Sequence, residues 1–184
     1  MKKEIKKVPG IFPMPVLMIG TYNEDGSVDV MNAAWGMAQS MNHLKLCLTE
    51  SHKTVKNMKR TMACTVALGT KDLMVESDYF GIVSANKETD KFKKTGLHAT
   101  KSEIVDAPII EEYPICMECK VIGFEDDGTL VEVVNVQVEE KYLNEDGTLK
   151  LNEMSIIAYD PYSHGYYVVG EKVGNAFQEG KKLI

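Results

Sequence analysis

The sequence predicts a mainly β fold, a barrel with short inserted helices, and two observations carry that prediction. Three segments end in Asp-Gly, at residues 23–26, 125–128 and 144–147, and this dipeptide favours the tight turns of β-hairpins when strands flank it. Short β-rich or alternating runs lie beside these turns, whereas helical patterns are few. Tight turns between consecutive strands argue against a parallel sheet, which needs crossover helices, and favour an antiparallel barrel.

Each element follows from its local pattern. The run 43–49 places Leu44, Leu46 and Leu48 on one face, and the run 131–139 alternates from Val134 onward, so both are typical of half-buried strands. The predicted strands are 16–22, 27–34, 43–49, 62–68, 117–124, 130–138, 153–158 and 166–169. The predicted helices are 54–60, 71–80 and 89–94, the last ending before Gly96, with a final turn at 175–179.

Length and charge limit the classes of function. The 184 residues favour one domain spanning 1–184. The net charge of −6 argues against a sequence-independent nucleic-acid binder, which needs a basic face. No run reaches the ~18 apolar residues that span a bilayer, and Pro9, Pro13 and Pro15 interrupt the only stretch that resembles a signal peptide. We therefore expect a cytoplasmic protein with neither nucleic-acid nor membrane partners.

The four cysteines predict neither a disulfide framework nor a metal centre. They are too few for a secreted disulfide scaffold, and zinc needs about four ligands, for which no second Cys pair or close His pair exists. Cys116 and Cys119 stand three residues apart on a predicted strand, so their side chains point to opposite faces. We interpret both as buried structural thiols, and no metal site is expected.

The segment Ser51-His52-Lys53-Thr54 opens a predicted helix directly after a strand. The backbone N–H groups of a first helical turn lack internal partners, and together with the helix dipole they favour an anion. His52 and Lys53 add side-chain donors, so the segment is a candidate phosphate site. A plain helix cap with solvated lysines explains the same residues.

The stretch Met31 to Met37 contains the single tryptophan of the chain, Trp35. Small residues beside Asn32 allow the backbone to approach a flat ligand closely, and the Asn32 amide both donates and accepts hydrogen bonds. The alternative is a strand end that carries a core tryptophan.

Two further segments are candidates for ligand contact. Ser84 and Lys91 could reach a phosphate or a polyol, or they could belong to an ordinary loop between two helices. The stretch 164–174 combines aromatic side chains with glycines, which fits a strand with a bulge, a ligand lid or a subunit contact.

In their order along the chain, these segments resemble the flavin reductase-like family of FMN-binding split-barrel proteins, in particular its flavoredoxin-like branch. The resemblance runs from about residue 8 to residue 181. The matching positions are Pro15-Val16, Gly20-Thr21, Asn32 to Trp35, His52 to Thr54 with Asn57, Ser84, Asp90 to Phe92, Gly96-Leu97, Ala107-Pro108, Glu118-Cys119, Gly165 to Tyr167, Gly170 and Ala176-Phe177.

The resemblance implies an FMN-binding split β-barrel that works as a homodimer, with the flavin sites near the subunit interface. It implies that the ring system is lined by Asn32, Ala33, Ala34 and Trp35. It implies that the phosphate is held by Ser51, His52, Lys53 and Thr54, with help from Ser84, Ala85 and Lys91. It also implies that His164 and Tyr167 lie towards the flavin. No residue is expected to act as a nucleophile or general base, because the redox chemistry belongs to the cofactor.

One departure from the family pattern concerns the electron donor. Relatives that use a nicotinamide often carry Gly-Asp-His in the later barrel strands, and the corresponding region of this chain reads Asn135-Val136-Gln137-Val138-Glu139, without it. The leading interpretation is an FMN-dependent oxidoreductase that moves electrons from a donor such as NAD(P)H to an acceptor. An FMN electron carrier between protein partners, without a nicotinamide site of its own, is the alternative. A cofactor-free interaction protein is a third.

Overall fold

The computed structural model describes residues 1–5, 7–8 and 11–184. Within that part of the chain the strands are β1 Met14–Pro15, β2 Leu17–Tyr22, β3 Val28–Ala33, β4 Gly36–Ala38, β5 His43–Leu46, β6 Ala63–Leu68, β7 Ala99–Lys101, β8 Pro108–Ile110, β9 Ile115–Glu125, β10 Gly128–Val138, β11 Ile157–Asp160 and β12 Gly165–Val168. The α-helices are α1 Lys53–Thr61 and α2 Met74–Ile82, and short 3₁₀ turns lie at Lys93–Thr95, Glu140–Tyr142 and Glu179–Leu183.

A curled, seven-stranded antiparallel sheet forms the half-barrel, with the strand order β3-β2-β6-β9-β10-β5-β4. Two of the predicted Asp-Gly hairpins build it, since β2 pairs with β3 and β9 pairs with β10. A three-stranded sheet, β1-β11-β12, and the pair β7-β8 complete the strands. Because β3 is an edge strand, one side of it remains open to neighbouring groups.

The turn between β9 and β10 requires its glycine. Gly128 has a φ of 147°, and a Cβ atom there would lie 2.5 Å from the carbonyl oxygen of Leu46. Any side chain would therefore collide with the backbone that leaves β5. This close approach fixes the β9–β10 hairpin against β5, with which β10 also pairs.

The two faces of the sheet bury separate apolar clusters. Inside the half-barrel, residues such as Ile19, Leu46 and Val131 are almost fully buried. On the other face, Phe80 of α2 packs with Met18, Val30 and other buried side chains of the sheet. Helix α2 therefore lies firmly against β3, which positions one wall of the candidate site.

The predicted fold class is confirmed, and several elements differ from their predictions. The strand predicted at 43–49 ends at Leu46, and the helix predicted at 71–80 spans Met74–Ile82. The segment 89–94 forms turns with only a short 3₁₀ turn, Lys93–Thr95, because Gly96 ends it in a left-handed conformation. The strand predicted at 153–158 begins only at Ile157. The third Asp-Gly turn holds a single bridge, between Leu143 and Leu149, where exposed flanks provide no core against which longer strands would pack.

Cys116 and Cys119 follow the prediction of buried structural thiols. Cys64, Cys116 and Cys119 are buried free thiols, and burial raises the pKa of Cys116 to about 12, so this thiol stays protonated at neutral pH. The described residues contain no group of metal-binding side chains. Within the same residues, none of the helices has the length and apolar character needed to cross a membrane.

Candidate functional site

Two adjoining cavities lie beside β3, one between α1 and α2 and the other between α2 and the strands β11 and β12. The first, here called the polar cavity, has a volume of about 130 Å³ and is lined by Asp29, Met31, Asn32, His52, Lys53, Thr54, Phe80 to Ala85 and Lys91. The second, the aromatic cavity, measures about 330 Å³ and is lined by Val16, Asn32, Ala34, Trp35, Asp78, Gly81, Ile82, Tyr159 and Tyr166. Both include Asn32, Gly81 and Ile82, so they adjoin at these residues, and together they are here called the groove.

Helix α1 points its N-terminus into the polar cavity. His52 is the N-cap residue, with extended backbone angles and no side-chain capping bond, and the first turn carries no acidic residue. The first N–H groups of the helix therefore have neither an internal partner nor a capping side chain. Together with the helix dipole, they make this end of the cavity attractive to an anion.

A buried lysine forms the opposite side of the polar cavity. Lys91 is only 3% exposed, and its Nζ lies 3.8 Å from Oδ1 of Asp29 and 5.6 Å from the ring centre of Phe80. Burial lowers the pKa of Lys91, and the carboxylate of Asp29 opposes that shift. Thr54 Oγ1 donates a hydrogen bond of 2.7 Å to Oδ2 of the same carboxylate.

Three polar groups around this cavity have unused hydrogen-bonding capacity. Asp29 Oδ1 and His52 Nδ1 are buried without a hydrogen-bond partner, and Lys91 Nζ donates no hydrogen bond to any described residue. Such groups are costly to bury unless something satisfies them. A polar ligand with an anionic end fits this donor set, because ammonium and helix N–H groups offer donors and Asp29 offers an acceptor to a hydroxyl.

The loop after α2 closes the polar cavity. Ser84 and Ala85 line it, and the next residue, Asn86, ties the loop to α1: its Nδ2 donates to the carbonyl oxygen of Ser51, and its Oδ1 accepts from Nζ of Lys56. These contacts hold the loop over the first turn of α1.

Aromatic side chains form a wall of the second cavity. The ring centres of Trp35 and Tyr159 are 6.2 Å apart, and those of Tyr159 and Tyr166 are 6.1 Å apart. Trp35 remains 50% exposed, so the alternative interpretation, a core tryptophan, does not hold. A half-exposed aromatic wall of this kind suits a flat, conjugated ligand.

Hydrogen bonds fix the polar groups of the aromatic cavity. Asn32 Nδ2 donates a hydrogen bond to the carbonyl oxygen of Ser77 over 2.9 Å. The hydroxyl of Tyr166 donates one to Oδ1 of Asp78 over 2.8 Å. Burial, with further contributions from Asp78, raises the pKa of Tyr166 to about 12. Its phenol is therefore neutral at physiological pH.

The structure brings most of the predicted site residues to the groove. Its linings include Asn32, Ala34, Trp35, His52, Lys53, Thr54, Ser84, Ala85 and Lys91.

Four predicted residues lie outside the groove. Ala33 faces the half-barrel core because neighbouring residues on a strand point to opposite faces. The same alternation turns Tyr167 away, against Phe12, while Tyr166 lines the groove. Ser51 is exposed and contributes its carbonyl to Asn86. His164 is exposed and does not line the groove, but its Nδ1 is 2.7 Å from the hydroxyl of Tyr159, which does.

Several groove residues were missed by the sequence interpretation. They are Val16, Asp29, Met31, Asp78, Phe80, Gly81, Ile82, Val83, Tyr159 and Tyr166. Asp29 did carry a signal, because a carboxylate inside a short apolar strand is unusual unless it has a partner. Met31 and Tyr166 lie in stretches that were candidates for ligand contact, although neither was singled out there. The others carried no signal, because their place in the groove depends on how α2, β11 and β12 come together in the fold.

The sequence-family model described as the flavin reductase like domain matches residues 10–155 of this chain. The chain belongs to the flavin reductase-like family. The predicted family is thereby confirmed, and FMN is the cofactor that fits it. No curated protein sequence matches the chain significantly.

Solved structures agree with this membership in the flavin reductase-like family. Flavoredoxin of Desulfovibrio vulgaris (Miyazaki F) is 31% identical, with a TM-score of 0.93 over 98% of this chain and 100% of that one. The flavoredoxin from Methanosarcina acetivorans is 24% identical, with a TM-score of 0.85 over the full length of both. An FMN-binding protein from Thermus thermophilus is 17% identical, with a TM-score of 0.75 over 95% of this chain and 98% of that one. The last two show the fold alone.

Proposed function

We propose that the chain binds FMN along the groove and works as an FMN-dependent oxidoreductase. The phosphate would occupy the polar cavity, and the ring system would lie in the aromatic cavity. One observation carries the proposal: a buried lysine, Lys91, without a hydrogen-bond acceptor faces an uncapped helix N-terminus across the cavity. When bound, FMN supplies the chemistry of taking up and releasing two electrons.

The residues of this chain then have separate roles. Lys91, Lys53 and the first N–H groups of α1 hold the phosphate, and Asp29 offers its free Oδ1 to a hydroxyl of the polyol chain. Trp35 and Tyr159 contact the flat ring. Asn32 lies where the two cavities join, and its bond to Ser77 fixes the side chain.

Two observations favour a carrier as a second candidate function. The 31% identical relative is named a flavoredoxin. In addition, Asn135 and Gln137 of this chain donate hydrogen bonds to the buried carboxylate of Glu118, at 2.5 and 2.9 Å. In this part of β10 the polar side chains therefore bond to the neighbouring strand β9. Nicotinamide-dependent relatives often carry Gly-Asp-His in the corresponding region.

A reduction experiment separates the two candidate functions. The FMN-loaded protein is mixed anaerobically with NADH or NADPH, and the visible absorbance of the flavin is followed. Rapid bleaching supports an oxidoreductase that uses a nicotinamide directly. A flavin that resists both nicotinamides but is reduced readily by a protein donor supports the carrier, and a chain that binds no FMN contradicts both.

We further propose that two copies of the chain associate beside the groove. Besides Trp35, apolar side chains of the C-terminal segment are exposed, Val173 at 95% and Phe177 at 94%, and a second copy would cover such surface. Light scattering on the size-exclusion eluate is expected to give twice the chain mass. Removal of residues 171–184 is expected to weaken the dimer, and a full-length monomer at micromolar concentration would contradict the proposal.

A further inference from the structure

Asp78 places a negative charge in the wall of the aromatic cavity. It lies on α2 beside Gly81 and Ile82 in the lining, and its Oδ1 accepts the hydroxyl proton of Tyr166 at 2.8 Å. Tyr166 in turn packs against Tyr159, with ring centres 6.1 Å apart. The carboxylate is therefore held at the cavity by a residue that is itself fixed in the wall.

Asp78 is solvent-exposed and forms no ion pair within the described residues. The positive side chains of the groove, Lys53 and Lys91, line the polar cavity, where Asp29 offsets part of their charge, and not the aromatic one. The groove is therefore polarised along its length, positive at the end with the helix N-terminus and negative at the aromatic end.

We propose that Asp78 lowers the reduction potential of the flavin bound in this groove, an inference that rests on the proposed function. Two-electron reduction adds two electrons from the reductant and one proton to the ring system, which gains one negative charge. A fixed carboxylate in the adjoining wall disfavours that gain. Asp78 exchanges no bond or electron, so it is a positioning charge and not a catalytic residue.

The test compares Asp78→Asn with two matched variants, each loaded with FMN. Glu76→Gln removes a carboxylate from the same helix outside the groove lining, and Tyr166→Phe removes the hydroxyl but keeps the carboxylate. Slow anaerobic reduction in the presence of a redox dye of known potential gives the ratio of reduced to oxidised flavin at equilibrium.

Asp78→Asn is expected to raise the ratio of reduced to oxidised flavin about tenfold, equivalent to about 30 mV for a two-electron couple. Glu76→Gln and Tyr166→Phe are expected to keep the reduction potential of the flavin at the value of the unchanged chain. The dissociation constant of Asp78→Asn for oxidised FMN is expected to stay within about threefold of that of the unchanged chain. The second variant Asp78→Ser should reproduce the upward shift.

Two results would overturn this proposal, and they are distinguishable. If Asp78→Asn and Asp78→Ser bind FMN normally and the reduction potential of the flavin is unchanged, Asp78 does not lower that potential. The proposed function would remain intact. Failure of the unchanged chain to bind FMN would overturn the proposed function as well.

Discussion

The carboxylate of Asp29 and the ammonium of Lys91 lie 3.8 Å apart, and the two residues are only 1% and 3% exposed. The two groups come from β3 and from the turns that follow α2, which are far apart in sequence. Their separation is too long for a direct hydrogen bond, although each charge is removed from water. This pair therefore anchors the fold around the polar cavity and keeps its polar atoms available to a ligand.

The buried pair predicts a coupled effect on stability. Asp29→Asn and Lys91→Met, made singly, should each lower the free energy of unfolding by about 3 kcal/mol, because each leaves the other group buried without its partner. The double variant should lose at least about 1 kcal/mol less than the sum of the single losses. Urea denaturation of the flavin-free chain measures all three, and simple additivity would show that the two groups are not coupled.

Lys91 should also discriminate between ligands with and without a phosphate. Lys91→Met is expected to weaken FMN binding by about 1.5–3 kcal/mol, and to change riboflavin binding much less, because riboflavin lacks the phosphate. Calorimetric titration with both ligands gives the two affinities. Lys94→Met is the matched control, since Lys94 is exposed and pairs with Glu88. Equal losses for FMN and riboflavin would place the phosphate elsewhere.

Trp35 should report flavin binding directly. It is the single tryptophan of the chain and lies half-exposed in the aromatic wall. A bound flavin absorbs where tryptophan emits, so titration with FMN or riboflavin should quench most of the Trp35 fluorescence. The quenching should saturate at one flavin per chain. Undiminished emission with flavin demonstrably bound would place the ring system away from Trp35.

Gly81 lies where the two cavities join, and substitution there should separate folding from binding. A Cβ at this position would lie 3.5 Å from Cβ of Asn32, an ordinary contact, so Gly81→Ala is expected to fold and to stabilise the flavin-free chain by up to about 1 kcal/mol through its helix propensity.

A larger side chain at Gly81 should obstruct the groove. Gly81→Leu is expected to weaken both FMN and riboflavin by more than about tenfold, equivalent to 1.4 kcal/mol, with the fold retained by circular dichroism. Unchanged affinity for both flavins in a folded Gly81→Leu would exclude a ligand that passes through this junction.

Tyr113 predicts a loss of stability at alkaline pH. Burial raises its pKa to about 12 in the folded chain, whereas an unfolded tyrosine ionises near 10. Between these values the unfolded chain binds fewer protons, so the free energy of unfolding falls as pH rises from about 10 to about 12.

The Tyr113 effect should amount to about 2–3 kcal/mol across that interval. Denaturation curves at several alkaline pH values measure it, and Tyr113→Phe should give a shallower decline because it has no proton to lose. The same slope in both proteins would contradict the predicted shift. Tyr113→Phe also removes the 2.9 Å hydrogen bond to Ser77, so only the slope is compared and not the absolute stability.

The sequence by itself determined two of the hairpins, most strands of the large sheet and the helix start that lines the polar cavity. Asp-Gly turns and two-residue alternation are local signals, and the first turn of a helix exposes its N–H groups wherever it occurs. Hence the β2–β3 and β9–β10 hairpins and the segment from His52 to Thr54 were predictable. The choice between Tyr166 and Tyr167 was not, because a one-residue shift in strand register exchanges the two faces.

Only the tertiary structure decided what surrounds the aromatic cavity and which charges face it. Asp29 meets Lys91, and Asp78 meets Tyr166, through contacts across 62 and 88 positions of sequence. Such pairs depend on where α2, the turns after it and β12 come to lie beside one another and beside β3, and no local periodicity encodes that packing. The physical reason is that the groove is formed between elements, whereas sequence patterns describe the surface of one element at a time.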